Sequence, residues 1–560
     1  MSHPEPSHIN AMLQRAITLQ RQGELAKAGA LYVEVLKAHP DHPDCLNLLG
    51  VLAAHAKNHA TALALIDRAI AVFPVDESFH NNRGNVLREL GQFEAALASF
   101  DQAIAIKSDW ADSHFNRGVA LQDLDRHAAA VASYDTAIAI DARHAHAWYN
   151  RGNALRCLGD PGAAVDSYDQ AVSVDPAYVQ ACVNRGLALH ALGQPEAAIA
   201  SFDKAISLDP ASAEAYYNRG IVQKALADLD AALASFDQAI RLRPDDWNAR
   251  WNKSLVLLLR GNLREGWEMY ESRWKTDSFK APRRHFDRPL WQGGESLEGK
   301  TILLHNDQGL GDALQFCRYA IVLHGLGARV VLEVSQPLVA LLRTIDGVAE
   351  VIRAGEPLPD FDFHCPLSSL PLALRTDMDA VPVFPTYLHG DASKVHAWST
   401  RLGRTTRTRV GLVVSGNPNH ANDANRSVGF ADMLRYLPEG PEYVLLQKDL
   451  RDADKVALAS RPDVLDVSAS LTDFSETAAL CELMDVVISV DTSVAHLAAA
   501  MGKNTWILLP FVPDWRWLMA RPDSIWYPSA RLYRQASPGA WTDVFCRVGA
   551  DLRALGHIRR

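Results

Sequence analysis

The fold of the N-terminal half is decided by a recurring stretch whose best-formed copy is AHAWYNRGNALRCLGDPGAAVDSYDQAVSVDPAY (145–178). The triplet Asn-Arg-Gly within it returns every 34 residues, and Asn252-Lys253-Ser254 continues the same register. Its copies lie at 82–84, 116–118, 150–152, 184–186 and 218–220. A period of this length indicates stacked helical units, because one helix pair cannot bury its own apolar face.

Other positions follow the same period. Counted from the glycine, Ala comes twelve residues later and a large aromatic ring sixteen residues later, as in Ala164 and Tyr168. The small residue lets two helices approach, and the ring fills the space between repeats. Proline ends many of the second helices, as in Pro176, because it lacks an N–H and clashes with the preceding turn. The pattern predicts helix-turn-helix repeats over residues 9–280, about eight units with a degenerate last one.

This period and spacing resemble the tetratricopeptide repeat, which implies an α-solenoid whose first helices line a concave groove. The Asn of each repeat lies on its first helix, and a row of amides can donate to and accept from an extended backbone. In O-linked N-acetylglucosamine transferases, asparagines at this position line the groove that holds the substrate peptide. The matching residues are Asn82, Asn116, Asn150, Asn184, Asn218 and Asn252. The alternative is that Asn is common here in tetratricopeptide repeats of every function.

The end of the array departs from the repeat. GNLREGWEMYESRWKT (261–276) keeps the helix-turn-helix length but introduces Trp267 and Trp274. Large aromatic side chains at these places predict a capping repeat that docks on the next domain. Residues 281–299 are rich in Pro, Gly and charge, and they predict a connector.

From residue 300 the pattern changes to apolar, β-branched runs separated by helical segments, which predicts parallel sheets. The runs are TILLH (301–305), VVLEV (330–334), RVGLVVSG (409–416), YVLLQ (443–447), VVISV (486–490) and TWILLP (505–510). They divide into two Rossmann-like lobes, 300–400 and 401–560, with a cleft between them. This is the α/β GT-B architecture, with nucleotide-sugar binding expected in the second lobe.

Four motifs carry a more specific resemblance: HNDQGLGDALQFCRYA, SGNPNHANDANRS, DTSVAHLAAAMG and LLPFVPDWRW. They look like the heptosyltransferase-related glycosyltransferase family 9. More closely, the chain resembles bacterial proteins that join tetratricopeptide repeats to such a domain, in a layout similar to O-linked N-acetylglucosamine transferases. The resemblance covers almost the whole chain and implies a nucleotide-sugar transferase.

The first motif supplies the candidate base. Gly309 and Gly311 permit tight turns and close approach of the backbone to a ligand. Asp312 then begins the next helix at the carboxyl edge of the sheet, where α/β sheets bind ligands. In heptosyltransferases an Asp directly after this glycine is the presumed base, which implies a catalytic role for Asp312. Asp312 could instead be a helix N-cap, and His305 or Asp307 could be the base.

The second lobe supplies the donor site. VVISV ends at Asp491-Thr492-Ser493, where a helix begins, and the free N–H groups of a helix N-terminus suit a diphosphate. Family members bind the donor's pyrophosphate at this place, although Asp491 could simply cap the helix and His496 could be packed. The loop after residue 414 is expected to close over the donor, with Arg426 or Lys448 contacting the phosphates; a solvated loop is the alternative. The predicted donor-binding residues are Gly309, Gly311, Ser415, Gly416, Asn417, Arg426, Lys448, Asp491, Thr492, Ser493 and His496.

No metal or other cofactor is expected. Asp360-Phe361-Asp362 matches the Asp-x-Asp metal motif of another glycosyltransferase fold, but it precedes a short strand of the first lobe, away from the diphosphate. In GT-B enzymes, Arg, Lys and helix dipoles usually stabilise the leaving diphosphate instead. The nucleotide sugar is a co-substrate.

Composition narrows the function classes. A net charge of -10 argues against nucleic acid or anionic membranes as partners. The seven cysteines form no C-x-x-C pair, which favours free thiols in a reducing compartment. The first residues show no secretion signal, and no apolar run is long enough to span a bilayer. We expect a cytoplasmic protein.

The leading hypothesis is an enzyme. It would move a sugar from a nucleoside diphosphate donor to a hydroxyl of a protein held by the repeat groove, with inversion and without a metal. A carbohydrate or lipid-linked acceptor, as in heptosyltransferases, is the second version. A scaffold with an inactive transferase domain is the alternative from another class. The donor nucleotide and sugar stay open.

Overall fold

The computed structural model describes residues 6–276, 279, 284–420 and 422–558. Contacts among Cα atoms divide the chain into two compact units, the first ending at Val222 and the second beginning at Gln223. The predicted boundaries of the repeat array, the connector and the lobes stay predictions. Residues 281–283, the start of the predicted connector, lie outside the described residues.

The N-terminal half consists of helices joined by short turns, two for each 34-residue period. In the described residues they are α1 (Pro6–Arg21), α2 (Leu25–Ala38), α3 (Pro43–His55), α4 (His59–Val72), α5 (Glu77–Glu89), α6 (Phe93–Ile106), α7 (Ala111–Asp123), α8 (His127–Ile140), α9 (Ala145–Cys157), α10 (Pro161–Val174), α11 (Val179–Ala191), α12 (Pro195–Leu208), α13 (Ala213–Ala225), α14 (Leu229–Leu242), α15 (Trp247–Arg260) and α16 (Leu263–Tyr270). The predicted solenoid of helix pairs is confirmed.

In the first unit, four triplet glycines leave space for the aromatic ring sixteen residues later: Gly84, Gly118, Gly152 and Gly186. A Cβ atom at Gly152 would lie 2.5 Å from a carbon of the Tyr168 ring, and Gly118 meets Tyr134 in the same way. The rings are fully buried. The ring therefore packs on the glycine of its own repeat. It also shares a buried cluster with the first helix of the next repeat, as Tyr168 does with Ala188, in agreement with the predicted filling of the space between repeats.

The arginine of the triplet has a role that the sequence reasoning missed. Arg117 Nε donates to Asp101 Oδ1 at 2.7 Å, and its Nη1 donates to Ser133 Oγ at 2.7 Å. Asp101 lies on the second helix of the preceding repeat, so this side chain links neighbouring repeats. Arg83, Arg151 and Arg185 make the same pair of contacts.

The second unit begins with the last helices of the array and continues into alternating strands and helices. The strands are β1 (Thr301–His305), β2 (Arg329–Val334), β3 (Val348–Arg353), β4 (Phe363–Pro366), β5 (Arg409–Val413), β6 (Glu442–Leu445), β7 (Val464–Asp466), β8 (Val486–Val490), β9 (Thr505–Leu509) and β10 (Ala530–Arg534). The helices are α17 (Leu310–Phe316), α18 (Tyr319–Gly325), α19 (Gln336–Leu342), α20 (Leu370–Ala373), α21 (Ala392–Leu402), α22 (Asp423–Arg426), α23 (Phe430–Leu434), α24 (Asp452–Ala459), α25 (Phe474–Glu482), α26 (Ser493–Ala500) and α27 (Trp541–Ile558). Across the described part of the chain, no helix combines the length and the apolarity that crossing a membrane requires.

The strands form two parallel sheets, one in each lobe. The first has the order β3-β2-β1-β4, and the second has the order β10-β9-β8-β5-β6-β7. Parallel strands are buried on both faces, which explains their continuous apolar runs. This arrangement is consistent with the predicted α/β GT-B fold, and it places the loops after β1 and β8 at the carboxyl edges of the two sheets.

The end of the array is joined to the α/β part through a shared core within the second unit. Trp267 of α16 is buried, with its ring centroid 5.0 Å from that of Trp515 and 6.3 Å from that of Phe316. This is the docking contact that Trp267 predicts. Trp274 instead covers the guanidinium of Arg273 at 4.4 Å.

Candidate functional site

The loops that follow β1 and β8 lie against each other. A Cβ atom at Gly311 would be 3.0 Å from His496 Cδ2 and 3.7 Å from Ser493 Cα. A side chain at this position would press on His496, so the glycine favours the close approach of the start of α17 to the start of α26. The candidate base and the candidate diphosphate site are brought together by this contact.

Asp312 lies at the third position of α17. Its Oδ2 accepts a hydrogen bond from the Gly309 N–H at 2.9 Å, and its Oδ1 accepts from Nη2 of Arg516. Gly309 takes the N-cap position, so Asp312 reaches back to the cap and is not the cap itself. Burial raises the pKa of Asp312, with help from the charges of Asp514 and Asp307, whereas Arg516 opposes the rise.

Arg516 comes from a short 3-10 helix, Trp515–Trp517, that follows β9. Besides Asp312, its guanidinium donates to Gln315 Oε1 through Nε and to Asp514 Oδ1 through Nη1 at 2.8 Å. Its Cζ lies 4.2 Å from the centroid of the Trp515 ring. Arg516 thus joins the two lobes through α17.

Sequence reasoning missed Arg516 and Asp514 as site residues. Sequence reasoning uses the segment that contains them only as part of the motif LLPFVPDWRW. The available signal was an arginine between two tryptophans, preceded by an aspartate, in the segment that follows β9.

The two alternative bases are engaged elsewhere. Asp307 Oδ2 accepts from Nη2 of the fully buried Arg273 at 3.1 Å, and its Oδ1 accepts from the Ser368 N–H at 3.2 Å. His305 is buried, with Nε2 3.3 Å from Nδ1 of His364. Burial lowers the pKa of His305 to about 3, so the ring is neutral at pH 7.

The start of α26 has the features of an anion site. Thr492 takes the N-cap position without a side-chain capping bond in the described part of the chain, so the first N–H groups of α26 lack that partner. Arg426 Nη1 donates to the Asp491 carbonyl at 3.1 Å. Arg426 Nε is buried and has no hydrogen-bond partner among the described residues. A Cβ at Gly416 would lie 2.7 Å from Arg426 Nη2, so this glycine makes room for the guanidinium.

Asp491 and His496 flank the same helix start. Burial and the Asp514 charge raise the pKa of Asp491, while Arg516 opposes them. His496 Nδ1 lies 2.9 Å from the Tyr527 hydroxyl, and its ring stacks on Trp517 at 5.2 Å. Burial lowers the pKa of His496 well below its ordinary value. His496 is therefore a packed, neutral ring beside the site.

The other predicted donor residues differ in exposure and in their contacts. Lys448 is exposed on the loop after β6 and forms no ion pair with any described residue. Asn417 is exposed, and its Oδ1 accepts from the Asn419 N–H at 3.0 Å. Ser415 is buried, and its Oγ accepts from Gln447 Nε2 at 2.5 Å. Arg426 is hydrogen-bonded to the Asp491 carbonyl at the helix start, and the donor-binding roles of these three residues stay predictions.

The loop that contains Arg426 also approaches Asp312. Burial and the charge of Arg426 lower the pKa of His420, while Asp514, Asp423 and Asp312 act in the opposite direction. His420 is therefore within electrostatic range of the candidate base. That the loop closes over a donor stays a prediction.

The ladder asparagines are half-buried, and most use one amide N–H inside the array. Asn82 donates to Asn47 Oδ1 at 3.1 Å, and Asn116 donates to Asn81 Oδ1 at 3.0 Å. Asn150 donates to the His146 carbonyl, Asn184 donates to the Tyr149 hydroxyl and Asn153 Oδ1, and Asn252 donates to the Asn248 carbonyl. Asn218 is likewise half-buried. These five hydrogen-bonded amides thus belong to the scaffold, and all six asparagines still have an exposed portion.

In the second unit, the last ladder residue lies close to the charged cluster. Lys224 Nζ donates to Asn252 Oδ1 at 3.4 Å. Burial lowers the pKa of Lys224, and the charge of Asp514 acts in the opposite direction. Lys224 therefore lies between Asn252 and the segment that carries Arg516. Sequence reasoning did not single out this lysine.

The Asp-x-Asp sequence has a structural use. Asp362 Oδ2 accepts from the Thr301 N–H at 2.8 Å, at the first residue of β1. This is the amino edge of the sheet, opposite to the edge that carries Asp312. Within the described residues, no three His, Cys, Asp or Glu side chains are arranged to hold a metal ion.

Sequence profiles of known families match separate parts of the chain. Tetratricopeptide-repeat profiles match residues 13–77, 84–125, 111–144, 145–178, 186–226 and 213–246. The profile of glycosyltransferase family 9 (heptosyltransferase) matches residues 453–507, which include β8 and α26. The chain therefore combines tetratricopeptide repeats with a family 9 segment. The first suggests protein interaction, and the second suggests glycosyltransferase activity.

Protein FlbA of Caulobacter vibrioides is 27% identical over 326 residues, 53% of this chain and 54% of FlbA. The match thus spans about half the length of that relative. Among solved structures, YrrB, described as a TPR protein with an unusual peptide-binding site, is 25% identical with a TM-score of 0.31, covering 34% of this chain and 98% of YrrB. MamA is 21% identical with a TM-score of 0.28, covering 30% of this chain and 97% of MamA.

Proposed function

We propose that the second unit is an inverting, metal-independent glycosyltransferase that uses a nucleoside diphosphate sugar. One observation carries the proposal: a helix start without a side-chain cap occurs beside Asp312 together with the Nε–H of Arg426, which is buried, has no hydrogen-bond partner among the described residues and lies 3.7 Å from Asp423 Oδ1. An anion is the ligand that such a pair of features favours. The match of the family 9 profile across β8 and α26 supports the same choice of ligand.

The donor's diphosphate would lie at the N-terminus of α26. The first N–H groups of the helix and the Arg426 guanidinium would stabilise the negative charge that grows as the bond to the sugar breaks. These groups supply the positive charge that a metal supplies in other enzymes. Thr492 and Ser493 would contact the phosphates, and Gly416 keeps the Arg426 side chain in place.

Asp312 would act as the base. It takes the proton of the acceptor hydroxyl while the oxygen forms a bond to C1 of the sugar. The bond between C1 and the phosphate oxygen breaks, and its electron pair leaves with the nucleoside diphosphate. Because attack comes from the face opposite the leaving group, the configuration at C1 inverts. A carboxylate whose pKa is raised by burial is a stronger base than an exposed one.

The acceptor would be a protein held by the ladder asparagines. The family matches over the first helices suggest protein interaction, and the ladder offers partly exposed amides at a regular spacing. Asn252 lies beside Lys224, within electrostatic range of Asp514. A polypeptide that passes this point would bring a Ser or Thr hydroxyl toward Asp312, in a layout like that of O-linked N-acetylglucosamine transferases.

The proposed transferase activity is tested by a thermal-shift screen against nucleoside diphosphates and nucleotide sugars. Turnover is then measured with the donor that binds. We expect Asp312→Asn to lower kcat by about 10²- to 10⁴-fold with donor binding retained. Asp432→Asn, an exposed carboxylate of α23, is the matched control and should leave kcat unchanged. If no nucleotide stabilises the protein, the transferase hypothesis is wrong and the scaffold alternative is favoured. Normal turnover by Asp312→Asn would remove Asp312 as the base.

The acceptor assignment is tested separately, by changing Asn150 and Asn184 together to Ala. Binding of a protein acceptor should weaken, whereas hydrolysis of the donor by water should stay at the wild-type rate. Unchanged acceptor binding would remove the groove from the proposal. If the protein transfers sugar to a lipid-linked or free carbohydrate, and the two substitutions leave the rate of this transfer unchanged, the heptosyltransferase-like version is favoured.

A further inference from the structure

We propose that Arg516 exchanges Asp312 for the diphosphate of the donor, so that donor binding releases the base. The inference rests on the proposed function, because it takes Asp312 as the base and the start of α26 as the diphosphate site. It adds Arg516 as a donor ligand and fixes the order in which the substrates bind.

The guanidinium groups of Arg516 and Arg426 differ in their hydrogen-bond partners. Every nitrogen of the Arg516 guanidinium has an acceptor, namely Gln315 through Nε, Asp514 through Nη1 and Asp312 through Nη2. The Nε of Arg426 has no hydrogen-bond partner among the described residues, and its ion-pair contact with Asp423 Oδ1 is long, at 3.7 Å. Arg426 is therefore ready for an anion, whereas Arg516 must give up an existing partner to bind one.

The position of Arg516 makes the exchange possible. The Arg516 and Arg426 charges both act on Asp491 and on His496, so the two guanidinium groups flank the start of α26. Nη2 can make a charge-assisted hydrogen bond to a phosphate oxygen just as it does to Asp312, so the exchange replaces one such bond by another.

The charge of the donor favours the same movement. Asp312, Asp491 and Asp514 already gather around Arg516, and a diphosphate adds further negative charge to this cluster. Turning Nη2 of Arg516 toward the phosphates reduces that repulsion. Asp514 can keep its contact with Nη1, so the side chain pivots and need not leave its place.

The exchange controls the base. Without the donor, Oδ1 of Asp312 accepts from Arg516 and Oδ2 accepts from the Gly309 N–H, so both oxygens are engaged. Once Arg516 turns away, Oδ1 becomes open to an acceptor hydroxyl. The donor must therefore bind before the acceptor can be deprotonated. An acceptor that binds without the donor does not find Asp312 available as a base.

The test uses inorganic pyrophosphate as the probe and calorimetry on the full chain. Four proteins form a double-mutant cycle: wild type, Asp312→Asn, Arg516→Gln and the combination. Asp312→Asn should tighten binding by roughly fivefold, because the competing carboxylate is gone, and Arg516→Gln should weaken it by about tenfold or more. In the Arg516→Gln background, Asp312→Asn should change the affinity by less than about twofold.

The combination separates an exchange from a general effect of charge. If Asp312→Asn tightens binding equally with and without Arg516, the effect is electrostatic repulsion alone and the exchange is wrong. Wild-type affinity in Arg516→Gln would also overturn it. Arg516→Lys, which keeps the charge and loses the forked geometry, should bind between wild type and Arg516→Gln, and it replaces Arg516→Gln if that variant does not fold.

A second variant keeps the two proposals distinguishable. Arg426→Gln should weaken pyrophosphate binding whether or not Arg516 moves. If it does so while both Arg516 variants bind normally, the diphosphate site stands and the exchange is wrong. If wild-type protein binds neither pyrophosphate nor any nucleotide, the exchange and the proposed function fail together.

Discussion

The charged side chains of the first unit contact residues nearby in the sequence, whereas those of the second unit also contact residues far away in the sequence. Arg117 binds Asp101 and Ser133, each 16 residues away, and the contact recurs with the repeat. Arg516 binds Asp312, which is 204 residues away, and this contact has no periodic counterpart among the described residues. The array is built from many similar local links, whereas the cleft depends on single contacts between distant segments.

Burial differs between the two regions as well. The Arg117 side chain is 32% exposed, so water competes for its ion pair. The Arg273 side chain in the second unit is 0% exposed and holds the nearly buried Asp307. Exposed pairs contribute little to stability, but removing one partner of a buried pair leaves an uncompensated charge in the interior. Removing one partner of an ion pair should therefore lower the free energy of unfolding slightly in the array and strongly near the cleft.

The largest effect is expected from Arg273→Met. It would leave Asp307 buried without its cation and should lower the free energy of unfolding by about 3–5 kcal/mol. Urea unfolding followed by tryptophan fluorescence measures this, since Trp110 and Trp148 are the tryptophans of the first unit and all others lie in the second.

Arg329→Met is the control for this substitution. It breaks an exposed pair with Glu350, in which the side chains are 50% and 43% exposed, and should cost less than about 1 kcal/mol. Equal losses for Arg273→Met and Arg329→Met would show that burial does not set the cost of breaking these pairs.

A smaller loss is expected from Gly152→Ala in the array. The new methyl group would lie 2.5 Å from the Tyr168 ring, and overpacking of this kind should cost about 1–3 kcal/mol. Gly162→Ala is the matched control on α10, because its Cβ would meet only Asp160 Oδ1 at 3.6 Å. It should be neutral or stabilising by up to about 1 kcal/mol, since Ala favours helix. Circular dichroism during urea unfolding measures both, and equal effects would refute the packing argument.

The same difference in range explains what the sequence could predict. The helix pairs and their register follow from residues such as Gly152 and Tyr168, whose partners lie within one period. The parallel strands follow from apolar runs such as β8. Asp312, Arg426 and Ser493 could be nominated because each lies in a local motif at the end of a strand or in a nearby loop.

The contacts that join these motifs could not be predicted in this way. The link from Arg516 to Asp312 requires the docking of two lobes, and no local pattern encodes it. Likewise, the proximity of Lys224 to Asp514 depends on how the last helices of the array pack in the second unit. In the sequence, Asp307 is an alternative to Asp312 as the base, and its contact with the buried Arg273 could not be predicted from a local pattern.

Acid should destabilise the second unit through His305. The folded state keeps this ring neutral down to about pH 3, whereas the unfolded chain protonates it below about pH 6.5. Protons therefore favour unfolding, and the stability that the neutral ring allows is lost as pH falls from 7 toward 3. Between pH 7.0 and 5.5, wild type should lose about 1 kcal/mol more than His305→Gln.

Urea unfolding at the two pH values gives this difference for each protein. His396→Gln, an exposed histidine of α21, serves as the control and should track the wild type. If the loss in His305→Gln matched that of the wild type, the ring would already be protonated in the folded state or would not be buried in solution.

The smallest effect is expected from the arginine links of the array. A double-mutant cycle with Arg117→Gln and Asp101→Asn should give a coupling of about 0.2–1 kcal/mol, since the pair is partly exposed. The corresponding cycle one repeat later, with Arg151→Gln and Asp135→Asn, should agree within about 0.5 kcal/mol, because the two pairs have the same geometry. Urea unfolding followed by circular dichroism measures both. Couplings that differ by more would mean that neighbouring repeats are not equivalent. A coupling as large as that of a buried pair would contradict the expected difference between the exposed pairs of the array and the buried pair of Arg273.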